Sequence, residues 1–132
     1  MRGLTVRQPD IEIYLKEDFL DELTAWLEQQ VGGLELAPWA GNTRRGTLQG
    51  DATIPLMLVR RAAGKWASIW FDSDRTPWPT DLDCARAVAA GIQREVRCSM
   101  GGWQEEQGES DADRWMKVTA EGEEDFIWAQ TP

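Results

Sequence analysis

The chain has 132 residues, of which 42% are hydrophobic and 28% charged, proportions typical of one globular domain spanning residues 1–132. Its formal net charge is −9 at pH 7, from 23 acidic and 14 basic side chains, and most of the acidic excess lies in the second half. A surface this negative repels phosphate backbones, which argues against nucleic-acid binding. It favours solubility, which is the simpler interpretation, and a basic protein partner.

The residues that the chain lacks argue against several kinds of chemistry. Histidine is absent, which removes the usual general base near neutral pH, the common zinc sites and Ser-His-Asp or Cys-His catalysis. Cys84 and Cys98 are interpreted as reduced, partly buried thiols. We therefore expect no metal, no cofactor and no enzymatic activity. The longest apolar runs are too short to span a membrane, and MRGLTVRQPD lacks the apolar stretch of a signal peptide, which predicts a cytoplasmic protein.

The first predicted elements are a strand and a helix. DIEIYL (10–15) alternates apolar and polar residues, as a half-buried strand does. EDFLDELTAWLEQQVGG (17–33) follows with leucines at helical spacing, Asp18 as its N-cap and Gly32 or Gly33 as its end. A short strand is predicted at 34–36, which Pro38 limits to an edge of the sheet.

Three segments are predicted between residues 40 and 71. Residues 40–52 hold three glycines and two adjacent arginines, and they are interpreted as a long loop or a loose hairpin tip. TIPLMLVRR (53–61) is mostly apolar and is predicted to be a central strand. A turn at Gly64 returns the chain as KWASIWF (65–71), the hairpin partner of that strand.

The second half begins with a proline-containing connector. Thr80 is predicted to cap a helix with a buried stripe that includes Leu82, Ala85, Val88, Ala89 and Ile92. A strand follows at 95–100, and then an acidic loop at 104–113. The last predicted element is a hairpin over residues 114–130 that turns at Glu121–Gly122.

The fold class predicted from these elements is α+β, with two helices on one face of a mainly antiparallel sheet of six to seven strands. GKWASIW (64–70) and GEEDFIW (122–128) share a glycine and an Ile-Trp pair at the same spacing. Their flanking elements follow the same order in both halves, which suggests a duplicated α-β-β-β unit with halves 10–71 and 72–130 and a pseudo-twofold axis between them. The preferred interpretation is convergence, because any hairpin favours a glycine turn and aromatic strand residues, and the duplicated unit is the alternative.

The eight tryptophans are the strongest anomaly of composition. Alternation places Trp66, Ser68 and Trp70 on one strand face and Ala67, Ile69 and Phe71 on the other. The preferred interpretation is that Trp66 and Trp70 also belong to the core, beneath a helix. The alternative is a small-molecule pocket between the two halves, in which the arginines fix an anionic group. The candidate ligand-binding residues for that pocket are Trp66, Trp70, Trp103, Trp128, Arg60 and Arg61.

A protein-interaction role is the favoured function, with an inhibitor or immunity-like module for a basic protein as one form of it. It depends on the acidic second half and on tryptophans as interface anchors. A homodimer through a strand edge or an aromatic sheet face is a further alternative. The candidate partner-binding residues lie in the acidic loop and are Glu105, Glu106, Glu109, Asp111 and Asp113.

Overall fold

The computed structural model describes residues 7–99 and 114–128. In these residues the chain forms two α-helices, α1 (Leu20–Gln30) and α2 (Asp81–Ile92), and a short 3-10 helix, Glu17–Phe19, leads into α1. Neither α-helix of the described residues is long and apolar enough to cross a membrane. The strands are β1 (Ile11–Lys16), β2 (Glu35–Leu36), β3 (Thr43–Gln49), β4 (Thr53–Ala63), β5 (Trp66–Phe71), β6 (Val96–Ser99), β7 (Arg114–Thr119) and β8 (Gly122–Ile127).

All the described strands belong to one antiparallel sheet in the order β2-β3-β4-β5-β1-β6-β7-β8. The predicted α+β class, with two helices and a mainly antiparallel sheet, is therefore confirmed. β1 lies between β5 and β6, so the first strand joins the two halves of the chain. The alternation of Ile11, Ile13 and Leu15 fixes which face of β1 enters the core.

The predicted strand count is wrong, because the described sheet has eight strands rather than six or seven. The additional strand is β3, in the segment interpreted as a loop. Its sequence, TRRGTLQ, buries only Leu48, so it lacks the apolar alternation that indicates a strand. Gly46 is needed for close approach, since a Cβ there would lie 2.6 Å from the carbonyl oxygen of Glu35 on β2.

The alternative of a duplicated α-β-β-β unit is not confirmed. After α1 the chain runs from β2 at one sheet edge inward to β5, whereas after α2 it runs from β6 outward to β8 at the opposite edge. Halves related by a twofold axis through the sheet would both run inward or both run outward. The shared glycine and Ile-Trp spacing therefore reflects two hairpins of similar local sequence rather than two symmetric units.

The helix ends follow one prediction and depart from another. Thr80 caps α2 as predicted, because its hydroxyl accepts the backbone N–H of Asp83 at 3.1 Å. Asp18 does not cap α1, which starts later: Phe19 is its N-cap residue and makes no side-chain hydrogen bond. The 3-10 turn that contains Asp18 replaces the predicted cap.

An aromatic column holds the helices to the sheet. Trp26 of α1 stacks on Trp78 at 5.9 Å between ring centroids, and Trp78 contacts Phe71 of β5 at 5.5 Å. Thr76 fixes the loop that carries Trp78, since its hydroxyl donates to the Trp78 carbonyl and accepts the Trp78 N–H. Gly91 of α2 lies against the Trp26 indole. The three aromatic rings belong to the core on the helix side of the sheet.

Candidate interaction surface

The sheet has an outer face, opposite the face that packs against α1 and α2. A row of paired residues crosses it from Thr43 through Val59, Ser68, Tyr14, Arg97 and Lys117 to Glu124. Ser68 is only 3% exposed although it points away from the helices. Larger side chains of neighbouring strands must therefore cover the outer face around it.

Five aromatic side chains, here called the aromatic cluster, contact one another on this face: Tyr14, Trp66, Trp115, Phe126 and Trp128. Trp128 is central, because its ring meets Trp115 at 4.9 Å, Trp66 at 5.5 Å and Tyr14 at 5.7 Å between centroids. These three contacts have the edge-to-face geometry that the aromatic quadrupole favours. All five side chains are partly exposed.

Arg97 fills the space between three rings of the aromatic cluster. Its guanidinium carbon lies 3.9 Å from the Trp66 centroid, 4.6 Å from Trp128 and 4.7 Å from Phe126. Its Nε donates to Glu95 Oε2 at 2.8 Å, and the side chain is 19% exposed. A planar cation stacks well on indole faces, so Arg97 supports the cluster.

The preferred interpretation of Trp66 and Trp70 as core residues beneath a helix is not what the structure shows. The predicted alternation is present, but Ala67, Ile69 and Phe71 face the helices, whereas both tryptophans are partly exposed on the outer face. Trp70 makes its own contact there, since its indole N–H donates to Asp10 Oδ2 at 2.7 Å. Outer-face indoles are therefore available for binding.

A group of carboxylates lies beside Trp70, where β1 begins. Burial raises the pKa of Glu12, the charges of Asp81 and Asp10 raise it further, and a hydrogen bond with Ser68 opposes them. Burial also raises the pKa of Asp81, against hydrogen bonds from the Glu12 N–H and from Gln8. In the described part of the chain no group of acidic, cysteine or histidine side chains is arranged to hold a metal ion.

The mutation Glu12→Gln is expected to stabilise the protein at pH 7 by up to about 1 kcal/mol, a bound that allows for solvent screening. The folded-state pKa of Glu12 lies above its ordinary value of 4.5, so the cost of ionising it is present at neutral pH. That cost disappears as the pH falls through the folded-state pKa. Urea denaturation from pH 7 to pH 4 should show the two curves converging.

The control for Glu12→Gln is Glu121→Gln, which removes one negative charge at the exposed β7–β8 turn. It separates the local effect from the general effect of lowering net charge. A Glu12→Gln protein less stable than wild type at pH 7 would contradict this account of the carboxylate group.

The candidate ligand-binding residues in the described part of the chain have different contact partners. Trp66 and Trp128 are in contact, but Arg60 stacks on Trp39, with its guanidinium carbon 4.0 Å from the ring centroid. Arg61 has a positive φ of 56° in the bulge of β4 and lines a separate cavity of about 700 Å³ with Lys16 and Lys65. Trp103 lies outside the described residues.

The partner-binding residues predicted in the acidic loop also lie outside the described residues. They are Glu105, Glu106, Glu109, Asp111 and Asp113.

The two cysteines, Cys84 and Cys98, lie in the described part of the chain, and both are free and buried. Burial raises the pKa of Cys98 to about 12 and that of Cys84 well above its ordinary value. Both side chains are therefore thiols at neutral pH, which are poor nucleophiles.

Sequence reasoning missed Tyr14, Arg97 and Trp115 as members of this surface. Each lies at an outward position of an alternating strand, and its neighbour in sequence packs into or against the core, as Ile13, Cys98 and Met116 do. The alternation within each strand could have identified these three residues as outward-facing. It could not predict that β1 pairs with β6, which brings Tyr14 next to Arg97.

Comparison with known proteins identifies no relative of this chain. No protein-family model matches it, no curated protein matches it, and no solved structure matches it. Function is therefore inferred from the outer face of the sheet and from the charge of the chain.

Proposed function

We propose that this protein is a non-enzymatic protein-interaction module that docks on a basic partner through the aromatic cluster. The observation that carries the proposal is the group of five contacting aromatic rings, arranged around Arg97 on the sheet face opposite both helices. Tryptophan, tyrosine and arginine are the residues most enriched among interface hot spots. The net charge of −9 favours a partner of opposite charge.

The geometry favours a macromolecular partner over a small molecule. The rings present their edges and faces side by side, and the Arg97 guanidinium fills the space among Trp66, Phe126 and Trp128. A small ligand needs a concave site, whereas a protein partner needs a broad, partly apolar patch with a polar rim. Glu12, Lys117 and Glu124 provide polar groups on the same face. An inhibitor or immunity-like module for a basic protein is one form of this function.

The test compares two sets of tryptophan variants against a partner captured by the wild-type chain and then purified. The double variant Trp66→Ser/Trp128→Ser removes two adjoining rings of the cluster, and we expect affinity to fall at least about thirtyfold. The matched control is Trp39→Ser, because Trp39 is also partly exposed and also stacked by an arginine, but it lies outside the cluster. We expect the control to change affinity less than about threefold.

Two results would overturn the proposal. One is equal loss of affinity in the double variant and in Trp39→Ser, which would indicate a general effect on folding. The other is unchanged affinity in the double variant, measured after circular dichroism has shown that it is folded. Binding that weakens as salt is added would support the basic character of the partner.

A further inference from the structure

The two ends of the described sheet are protected to different degrees. At one end β2 has two residues and is followed closely by Pro38, and both features limit strand addition. At the other end β8 has six residues, GEEDFI, with no proline and no lysine. Within the described residues it pairs only with β7, in continuous register from Gly122 to Ile127. The β8 edge therefore has the length and regularity that strand addition requires.

The register of the β7–β8 hairpin indicates which backbone groups face outward. A two-residue loop closes it at the Thr119–Gly122 pair, so hydrogen-bonded pairs alternate from that point. Glu124 and Phe126 direct their backbone groups to β7. Glu123, Asp125 and Ile127 direct theirs away from the sheet, as a row of donors and acceptors matched to another strand.

The side chains of β8 specify the charge of that strand. Glu123, Glu124 and Asp125 are all exposed, and Ile127 is 64% exposed, the most open large apolar side chain in the described chain. Arg86 pairs with Glu123, whose side chain is 31% exposed, and Arg114 pairs with Asp125, whose side chain is 55% exposed. These contacts fix the two carboxylates and leave part of each open to solvent. A second copy of this chain is a poor occupant, because antiparallel pairing about Asp125 would place like charges directly opposite each other.

We propose that the β8 edge binds an extended basic segment of a partner protein, which adds to the sheet as a ninth strand. Backbone hydrogen bonds to Glu123, Asp125 and Ile127 supply affinity, and lysine or arginine side chains beside the carboxylates supply specificity. An apolar side chain of the segment covers Ile127. Phe126 belongs to both β8 and the aromatic cluster, so the edge is continuous with the surface proposed above. The inference deepens the proposed function and rests on it for the existence of a partner.

The test uses a defined probe, an end-blocked eight-residue peptide of alternating lysine and valine. The control peptide replaces each valine by proline, which keeps the charge and prevents a regular strand. Residue-resolved amide exchange should show Glu123, Asp125 and Ile127 exchanging faster than Glu124 and Phe126 in the free protein. The lysine–valine peptide should protect the fast set, and the control peptide should not.

Variants at Ile127 separate the backbone contribution from the side-chain contribution. Ile127→Pro removes an outward N–H at an edge position that tolerates proline, and affinity for the peptide should fall roughly fivefold. Ile127→Thr keeps that N–H, keeps a β-branched side chain and should change affinity less than about twofold. Equal losses in the two variants would contradict the backbone role.

The remaining outcomes also decide the proposal. Equal binding of both peptides would show attraction by charge alone and would overturn strand addition, while leaving the aromatic-cluster test unaffected. Slow amide exchange at all five positions from 123 to 127 in the free protein would show that another part of the chain already covers the β8 edge. That result would also overturn strand addition. If the double variant Trp66→Ser/Trp128→Ser keeps its affinity for the partner while the lysine–valine peptide protects β8, the aromatic cluster is rejected as the binding surface and the β8 edge is retained.

Discussion

Replacing Gly91 by alanine is expected to destabilise the protein by about 2 kcal/mol, although alanine is the better helix former. A Cβ at this position would lie 2.6 Å from both Cδ1 and Cε2 of Trp26, far inside ordinary contact. Trp26 is only 9% exposed and stacks on Trp78, so the indole must leave that stack to make room. The lost packing outweighs a propensity gain of at most about 1 kcal/mol near the end of α2.

A double-mutant cycle isolates the steric cause. Urea denaturation gives the free energy of unfolding for Gly91→Ala, Trp26→Leu and the combined variant. In the Trp26→Leu background the alanine should cost nothing or stabilise slightly, because the smaller side chain leaves room for a methyl group. A cost of the same size with and without the indole would show that Gly91 is required for another reason.

Helices and strands were predictable from the sequence where their buried residues recur at the spacing of a helical turn or alternate along a strand. The alternation in β1, the leucine stripe of α1 and the Thr80 cap of α2 are local patterns, and each is confirmed. The two faces of β5 were predictable for the same reason. These features depend on residues within one or two turns of each other, so no knowledge of long-range pairing is needed.

Features that depend on which elements meet were not predictable. β3 has one buried apolar residue, and its place in the sheet comes from pairing with β4 over seven residues. The insertion of β1 between β5 and β6 assembles the aromatic cluster around Tyr14, and the order of the strands that follow α1 and α2 does not support a twofold relation between the halves. Local sequence also does not distinguish tryptophans on the helix side of the sheet from those on its outer face. Trp66 and Trp128 were identified as site residues, but Arg97, at the centre of the site, was not.

Trp78→Ala is expected to be the most damaging tryptophan substitution, with a loss of about 3–5 kcal/mol in the free energy of unfolding. Trp78 is 8% exposed and lies between Trp26 and Phe71, so its removal leaves a cavity between α1 and the sheet. The surrounding loop is held by Thr76 and by Arg7, whose Nη1 donates to the carbonyls of Asp74 and Thr76. Because this loop is held in place, it cannot easily collapse into the cavity that the missing indole leaves.

The matched comparison for Trp78→Ala is Trp66→Ala, with an expected loss of about 1 kcal/mol, because Trp66 is partly exposed and contacts mainly Arg97 and Trp128. Thermal and urea unfolding of the two variants measure the difference directly. Similar losses of unfolding free energy in the two variants would mean that the outer-face rings stabilise the fold as much as the core rings do. A large difference would mean that the aromatic cluster contributes little to stability for its size, as expected of side chains whose principal contacts are made with a partner.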